Sequence, residues 1–254
     1  GRNSSMTAGQ IDGFLEQVAG LKTVTGVCAE GGESFTEYDL VLHFLRRAAE
    51  HGLTAGALTN ASWVSSREKA EERIAELMAA GLSNLGVSTD RWHQRSVPVE
   101  RVDVLLAVCE EAGLEAARME TEPEGVMFRG RAAELLAPEM PTRPAEELTS
   151  CPHEKLGAPS RVHLDRYGLL HLCQGITLGR LPIAEAVAGF DPESHPIVRL
   201  LLNGGPYALG RYAADLGFEM APGYVDACHL CYRAREFLRP HFPDLLAPDE
   251  MYGC

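Results

Sequence analysis

Lysine is nearly absent from this 254-residue chain, with three residues against twenty arginines, an imbalance that reads as codon bias. No apolar run approaches the ~18–20 residues needed to cross a bilayer, and no charged-then-apolar leader opens the sequence. The expectation from both absences is a cytoplasmic protein with neither a membrane span nor Sec-type export. Excess positive charge is missing too. Thirty-six acidic and twenty-three basic side chains leave a formal charge of −13, which argues against a general binder of nucleic-acid phosphates. Small anionic substrates stay compatible, because a local pocket need not follow the global sign. No Gly-x-Gly-x-x-Gly and no phosphate-loop lysine follows a predicted strand, which disfavours a doubly wound nucleotide binder. A disulfide framework is also not expected. Seven cysteines are an odd number, in a chain long enough to bury a core without staples.

Apolar residues at 45 % and charged residues at 23 % suit one large domain, or a main domain with a small appendage. The first half repeats one punctuation mark three times: Ala49-Glu50-His51-Gly52-Leu53, Met78-Ala79-Ala80-Gly81-Leu82 and Glu110-Glu111-Ala112-Gly113-Leu114. Each glycine follows a helical pattern and precedes a short strand-like run, which is where a left-handed helix end is needed. Tyr38, Val41, Leu42, Leu45 and Ala49 mark one helix; Ala70, Ile74, Leu77 and Met78 the next; Val102, Leu105, Leu106 and Cys109 the third. The predicted strands are Val24–Ala29, Thr54–Thr59, Asn84–Ser88 and Glu115–Met119. Strand–helix units of about thirty residues give an α/β protein with a parallel sheet, doubly wound or barrel-like. Four strands are too few for a closed eight-fold barrel.

The texture changes near Arg129. Pro138, Pro141 and Pro144 break the regularity, so the expected boundary divides residues 1–137 from 138–254. Beyond it, Arg161–Asp165 and Leu169–Cys173 alternate about Tyr167-Gly168 like a β-hairpin, and helices are expected around 182–189, 195–216 and 224–239. The second unit therefore reads as a smaller α+β domain containing cysteines.

Polar groups collect where the predicted strands end. Gly31-Gly32-Glu33-Ser34 follows the first strand, Thr59-Asn60-Ala61-Ser62-Trp63 the second, and Ser88-Thr89-Asp90-Arg91-Trp92-His93-Gln94 the third. Ligands of parallel α/β sheets gather at the carboxyl ends of strands, so three successive polar ends outline a ligand mouth. Helix capping alone explains Asn60 or Asp90 singly, and the set poorly. In the second half, Cys151, Cys173 and the pair Cys228-His229-Leu230-Cys231 could surround one metal centre, either iron–sulfur or tetrahedral zinc. His153 and His229 are spare ligands for such a site. Cys28 and Cys109 fall on apolar patterns and are expected in the core. His43, His51 and His241 read as surface or capping residues, and Cys254 receives no role.

These residues resemble the radical S-adenosylmethionine superfamily. Gly31-Gly32-Glu33 is similar to its Gly-Gly-Glu motif after the second strand; Thr59-Asn60, Ser88-Thr89-Asp90 and Trp92-His93 follow in matching order. Gly130-Arg131-Ala132 is similar to a turn found after later strands, so the resemblance spans residues 7–135. It implies a partial (β/α) barrel in which Gly31 and Gly32 approach S-adenosylmethionine. Glu33 would hold the cofactor's ammonium group, while Asn60, Ser88 and Asp90 would lie near its other polar atoms. Ser34 replaces the family's usual proline, which implies a less rigid turn. The cysteines after the hairpin resemble the auxiliary 4Fe–4S domains of twitch or SPASM type, with Cys151, Cys173, Cys228 and Cys231 as ligands and zinc as the alternative occupant.

One element of the family is missing. The Cys-x3-Cys-x2-Cys loop that holds the catalytic cluster would fall just before Gly1, and Cys28 cannot replace it. The expectation is an inactive fragment or a degenerate relative of an enzyme that carries out hydrogen abstraction, with no catalytic residue in this chain and a peptide or protein as the implied substrate class. The competing expectation is a non-catalytic scaffold, stapled by zinc or a cluster, that binds a peptide or protein partner. A missing first strand would also leave Val24–Ala29 as an unpaired edge unless residues 1–10 cover it.

Overall fold

All three punctuating glycines end a helix with positive φ, at 72° for Gly52, 111° for Gly81 and 74° for Gly113. That conformation is strained for any residue carrying a Cβ, and it releases the chain from each helix straight into the next strand. The computed structural model describes residues 5–119 and 126–253, so the residues before Ser5 and the terminal Cys254 lie outside the described residues. The chain divides into two compact units, one ending at Gly125 and the other beginning at Val126.

The first unit runs α1 (Ala8–Ala19), β1 (Gly26–Ala29), α2 (Tyr38–Glu50), β2 (Thr54–Thr59), α3 (Arg67–Ala80), β3 (Leu82–Ser88), α4 (Val99–Ala112) and β4 (Glu115–Met119). A capping box starts α1, with Thr7 and Gln10 exchanging backbone and side-chain hydrogen bonds. The four strands are parallel and lie in the order β1-β2-β3-β4, so each connection returns beside the strand it left. Helices pack neighbour on neighbour, α1 on α2, α2 on α3 and α3 on α4. Leu45, Ile74, Leu77 and Leu105 from the helices meet Ala55, Ala57, Leu85 and Val87 from the strands in one core. The unit is thus α/β with a parallel sheet. Among the described residues β1 pairs only with β2.

Strand periodicity assigns the residues between those core positions to the other side of the sheet. Cys28 is one of them: Val27 and Ala29 pack on the core, and Cys28 is exposed. This corrects its expected core placement. The run Val24–Ala29 carries too little polar contrast to reveal which alternate residues face inward. Cys109, by contrast, is fully buried among the helices.

The second unit contains α5 (Arg131–Leu135), β5 (Arg143–Pro144), β6 (His163–Leu164), β7 (Leu169–Cys173), β8 (Ile176–Arg180), α6 (Ile183–Gly189), α7 (Pro196–Asp215), β9 (Gly223–Tyr224) and α8 (Ala227–Leu238). Strands β6, β7 and β8 form an antiparallel meander, and β5 pairs with β9. The Tyr167-Gly168 turn is held by Asp165, whose Oδ1 accepts from the Tyr167 and Leu169 N–H groups at 2.8 and 2.9 Å. Helices α7 and α8 pack on each other over Val198, Leu201, Leu209, Tyr232 and Leu238.

The division falls at residue 125/126 rather than after 137. The reason is packing: Ala133 is buried in the second unit's core, Glu134 pairs with Arg233 at 2.7 Å, and the Arg129 guanidinium reaches Cys173. The prolines that suggested a boundary lie within that unit: Pro138 in a short 3-10 turn, Pro141 in irregular chain and Pro144 in β5. Among the described residues no helix is long and apolar enough to cross a membrane.

A buried histidine joins two elements of this unit. His195 caps α7, its Nδ1 accepting from Val198 N–H at 3.2 Å while Nε2–H donates to the Thr177 carbonyl at 3.0 Å. This bonding uses the neutral ring, and burial lowers its pKa. The unfolded chain therefore takes up the proton first, so the stabilisation is complete above about pH 6.5 and is lost as pH falls through the lowered folded value. Urea midpoints measured from pH 8 to 5 should decline for the wild type, with a shallower decline in His195→Asn, where an amide keeps the capping acceptor.

Candidate functional site

Glu33 lies where β1 and β2 end, on a carboxylate held by three neutral donors. Its Oε1 accepts from the Thr59 hydroxyl at 2.8 Å and Phe35 N–H at 3.2 Å, and Oε2 accepts from Asn60 N–H at 2.7 Å. Thr59 is itself fixed. Its buried oxygen accepts from the Trp63 indole N–H at 3.0 Å and from Ala61 N–H at 3.1 Å, and Trp63 stacks on Phe35 at 5.4 Å. No cation pairs with Glu33 among the described residues. A carboxylate offers about four acceptor positions, so capacity remains for one more donor. Gly31 and Gly32 are exposed, and a Cβ at either would meet nothing within 4 Å. The Ser34 hydroxyl donates to the Leu58 carbonyl at 2.9 Å, a tether to β2 that proline could not make.

The other residues of the expected mouth divide. Ser88 ends β3 half-buried, on the face of the sheet turned away from the core. Asn60 turns its Oδ1 to Ser62 N–H at 2.9 Å. Asp90 is buried and locally engaged: Oδ1 accepts from Trp92 and His93 N–H, and Oδ2 from His93 Nδ1–H at 2.6 Å. Neither residue is a helix N-cap: both close local turns, while Ser66 caps α3 and Pro98 precedes α4.

The four cysteines of the second unit, brought from three separate parts of the chain, line one cavity. Cys173 ends β7 at the turn into β8, and Cys228 and Cys231 stand three residues apart on the first turns of α8, a spacing that puts both on one helix face. Cys151 follows Thr149-Ser150, a stretch pressed against a break in α7. Gly204 (φ −178°) and Gly205 (φ 63°, ψ −160°) leave helical geometry before Pro206, and a Cβ on Gly205 would lie 2.1 Å from the Thr149 carbonyl carbon. The helix expected to run unbroken from 195 to 216 thus kinks to admit the chain that delivers Cys151. Leu156, Ile176 and Leu201 supply apolar wall.

Two guanidinium groups line the same cavity. Arg129 Nη1 donates to Cys173 Sγ at 2.8 Å, and Arg235, 2 % exposed, donates to the carbonyls of Gln174 at 2.8 Å and Cys231 at 3.3 Å. Neither has a carboxylate partner among the described residues. Burial pushes the Cys228 thiol well above the usual cysteine range and Cys231 up to about 11, which disfavours either thiolate without a metal to take its charge. A metal centre would deprotonate them and give the arginines the anions they lack.

Comparison with known protein families and with curated proteins returns no match to this chain.

Asp226 escaped the sequence reading. It is the N-cap of α8, accepting from His229 N–H at 2.7 Å, and its position just before a helix start was the available signal. Ligand atoms of His153, Asp226 and Cys228 all lie within 4.8 Å of one another. His229, the other spare ligand, turns its Nδ1 to Val225 N–H at 3.3 Å, and burial lowers its pKa to about 4. Chemically, the second unit offers a soft, four-sulfur donor set beside fixed positive charge, and the first offers a pre-oriented carboxylate with spare acceptor capacity.

Proposed function

We propose that this chain is built as a radical S-adenosylmethionine protein, its first unit part of a (β/α) barrel and its second unit the holder of an auxiliary 4Fe–4S cluster. The supporting observation is one cavity lined by Cys151, Cys173, Cys228 and Cys231 and faced by two arginines without carboxylates. Four thiolates around a 4Fe–4S core leave net negative charge, and Arg129 and Arg235 stand ready to balance it. When bound, the cluster supplies one-electron transfer. Arg129 would orient Cys173 through its N–H···S bond, and Arg235 would hold the Gln174 turn, so that β7 and α8 keep their sulfurs at fixed separation.

The first unit supports the cofactor half of the reading. Sheet order β1-β2-β3-β4, with successive helices packed in sequence, suits an open stretch of (β/α) barrel. Thr59, Phe35 and Asn60 aim Glu33, whose remaining acceptor position suits an ammonium donor, and the bare backbone of Gly31-Gly32 allows close approach. In this reading the carboxylate selects and orients the amino-acid end of the cofactor, and moves no proton.

Anaerobic reconstitution with iron and sulfide should give brown protein with about four irons per chain, and Cys231→Ser should abolish the colour. Wild-type protein that stays colourless and holds one zinc that is lost in Cys173→Ser overturns the cluster assignment. Calorimetric titration with S-adenosylmethionine should show saturable binding that vanishes in Glu33→Ala; equal heats for the two proteins remove the cofactor half.

A further inference from the structure

We propose that His153, Asp226 and Cys228 form a mononuclear site for a borderline divalent cation of the zinc type, overlapping the four-thiol site at Cys228 and filled in its place. The three ligand atoms already lie within 4.8 Å of one another. Ligands at zinc bond lengths in a tetrahedral shell stand about 3.3–3.8 Å apart, so a small inward movement closes the set. Imidazole, carboxylate and thiolate together suit zinc or cobalt(II), and disfavour magnesium or calcium, which take oxygen ligands. Three protein ligands leave a fourth position for water or an outside donor.

Charge separates this site from its neighbour. One thiolate and one carboxylate neutralise a divalent cation without help from an arginine. Four thiolates exceed it, and it is the four-thiol cavity that Arg129 and Arg235 line. The carboxylate is also held in place: Asp226 Oδ1 accepts from His229 N–H at 2.7 Å and Oδ2 from Phe128 N–H at 3.5 Å. Both donors are backbone groups, so the ligand is oriented before any cation arrives.

Two short stretches of chain each carry a member of both sets. Cys151 and His153 are separated only by Pro152, and Asp226 and Cys228 only by Ala227. The two sets therefore share a thiol and the stretches that deliver it. A Cys228 thiolate committed to one centre is withdrawn from the other, so occupancy is mutually exclusive. The inference rests on the cluster reading only for that exclusivity; the cation site stands on its own three ligands.

The metal-stripped 254-residue chain titrated anaerobically with Co2+ should bind one ion, with the charge-transfer absorption of a single thiolate. His153→Ala should weaken this binding about tenfold or more, and Asp226→Asn should do the same while keeping the helix cap acceptor. Cys173→Ser should leave Co2+ affinity unchanged. In parallel iron reconstitution the pattern should reverse, with Cys173→Ser losing iron and His153→Ala retaining it. Wild-type protein that takes up no Co2+ overturns the proposal, as does unchanged Co2+ affinity in both His153→Ala and Asp226→Asn, or loss of Co2+ binding in Cys173→Ser. Failure of the cluster reading would appear separately, as wild-type protein that incorporates no iron.

Discussion

Gly205→Ala should cost the protein on the order of 3–5 kcal/mol and abolish metal uptake at the four-thiol cavity. Two costs add at this position. With φ 63° and ψ −160°, the backbone occupies a region that side chains rarely tolerate. A Cβ there would also lie 2.1 Å from the Thr149 carbonyl carbon, 2.3 Å from the Ser150 nitrogen and 2.5 Å from the Thr149 oxygen. These are backbone atoms, with no flexible side-chain end to swing away. The chain carrying Cys151 would have to lift off α7, breaking the Tyr207 N–H bond to the Leu148 carbonyl at 2.9 Å. Against a typical stability of about 5–15 kcal/mol, that loss is a large fraction. Urea unfolding followed by far-ultraviolet circular dichroism reads the stability, and iron content after reconstitution reads the site. Gly189→Ala, where a Cβ meets nothing within 4 Å and φ is ordinary, should leave both unchanged. An unaltered midpoint in Gly205→Ala would mean that the kink does not govern where Cys151 sits.

That kink shows where the sequence stops being readable. Helix–glycine–strand units were legible because each glycine solves a local problem, and the residues before it keep helical spacing. Bounds for β2 and β4 follow directly. The hairpin about Tyr167-Gly168 was equally local, set by Asp165 and a positive φ of 75° at Gly168. Cysteine spacing pointed to one centre, and the four side chains do line one cavity. What failed was long-range. Gly204-Gly205-Pro206 reads as a flaw in a helical pattern until Thr149 is seen to need the space. Segment 126–137 reads as an extension of the first unit until Arg129, Ala133 and Glu134 find partners nearly a hundred residues away in α8, or on β7. Asp226 and Asp90 are both acidic residues at turn positions, and spacing does not distinguish the one near His153 and Cys228 from the one bonded within its own turn. Cys28 was misplaced because a short apolar strand does not announce which face it buries.

Arg235→Met should separate the loaded protein from the metal-free one by a difference in sign-determining charge. Without metal, Arg235 is a buried cation with no carboxylate among the described residues, held by the Gln174 and Cys231 carbonyls and lying against Tyr252 at 5.6 Å. Methionine removes those donors, at about 1–3 kcal/mol for carbonyls left unpaired. It also relieves the burial of an uncompensated charge, which offsets part of that loss. With four thiolates holding a metal centre, the same substitution deletes a countercharge from a buried ion pair, a loss of roughly 3–5 kcal/mol. The melting temperature should therefore fall much further in reconstituted protein than in metal-free protein, and the variant should release its metal at lower chelator concentration. Equal shifts in the two states would make Arg235 a packing strut that braces the Gln174 turn. Unequal shifts would make it part of the metal centre, and would explain why a cation is kept in so apolar a place.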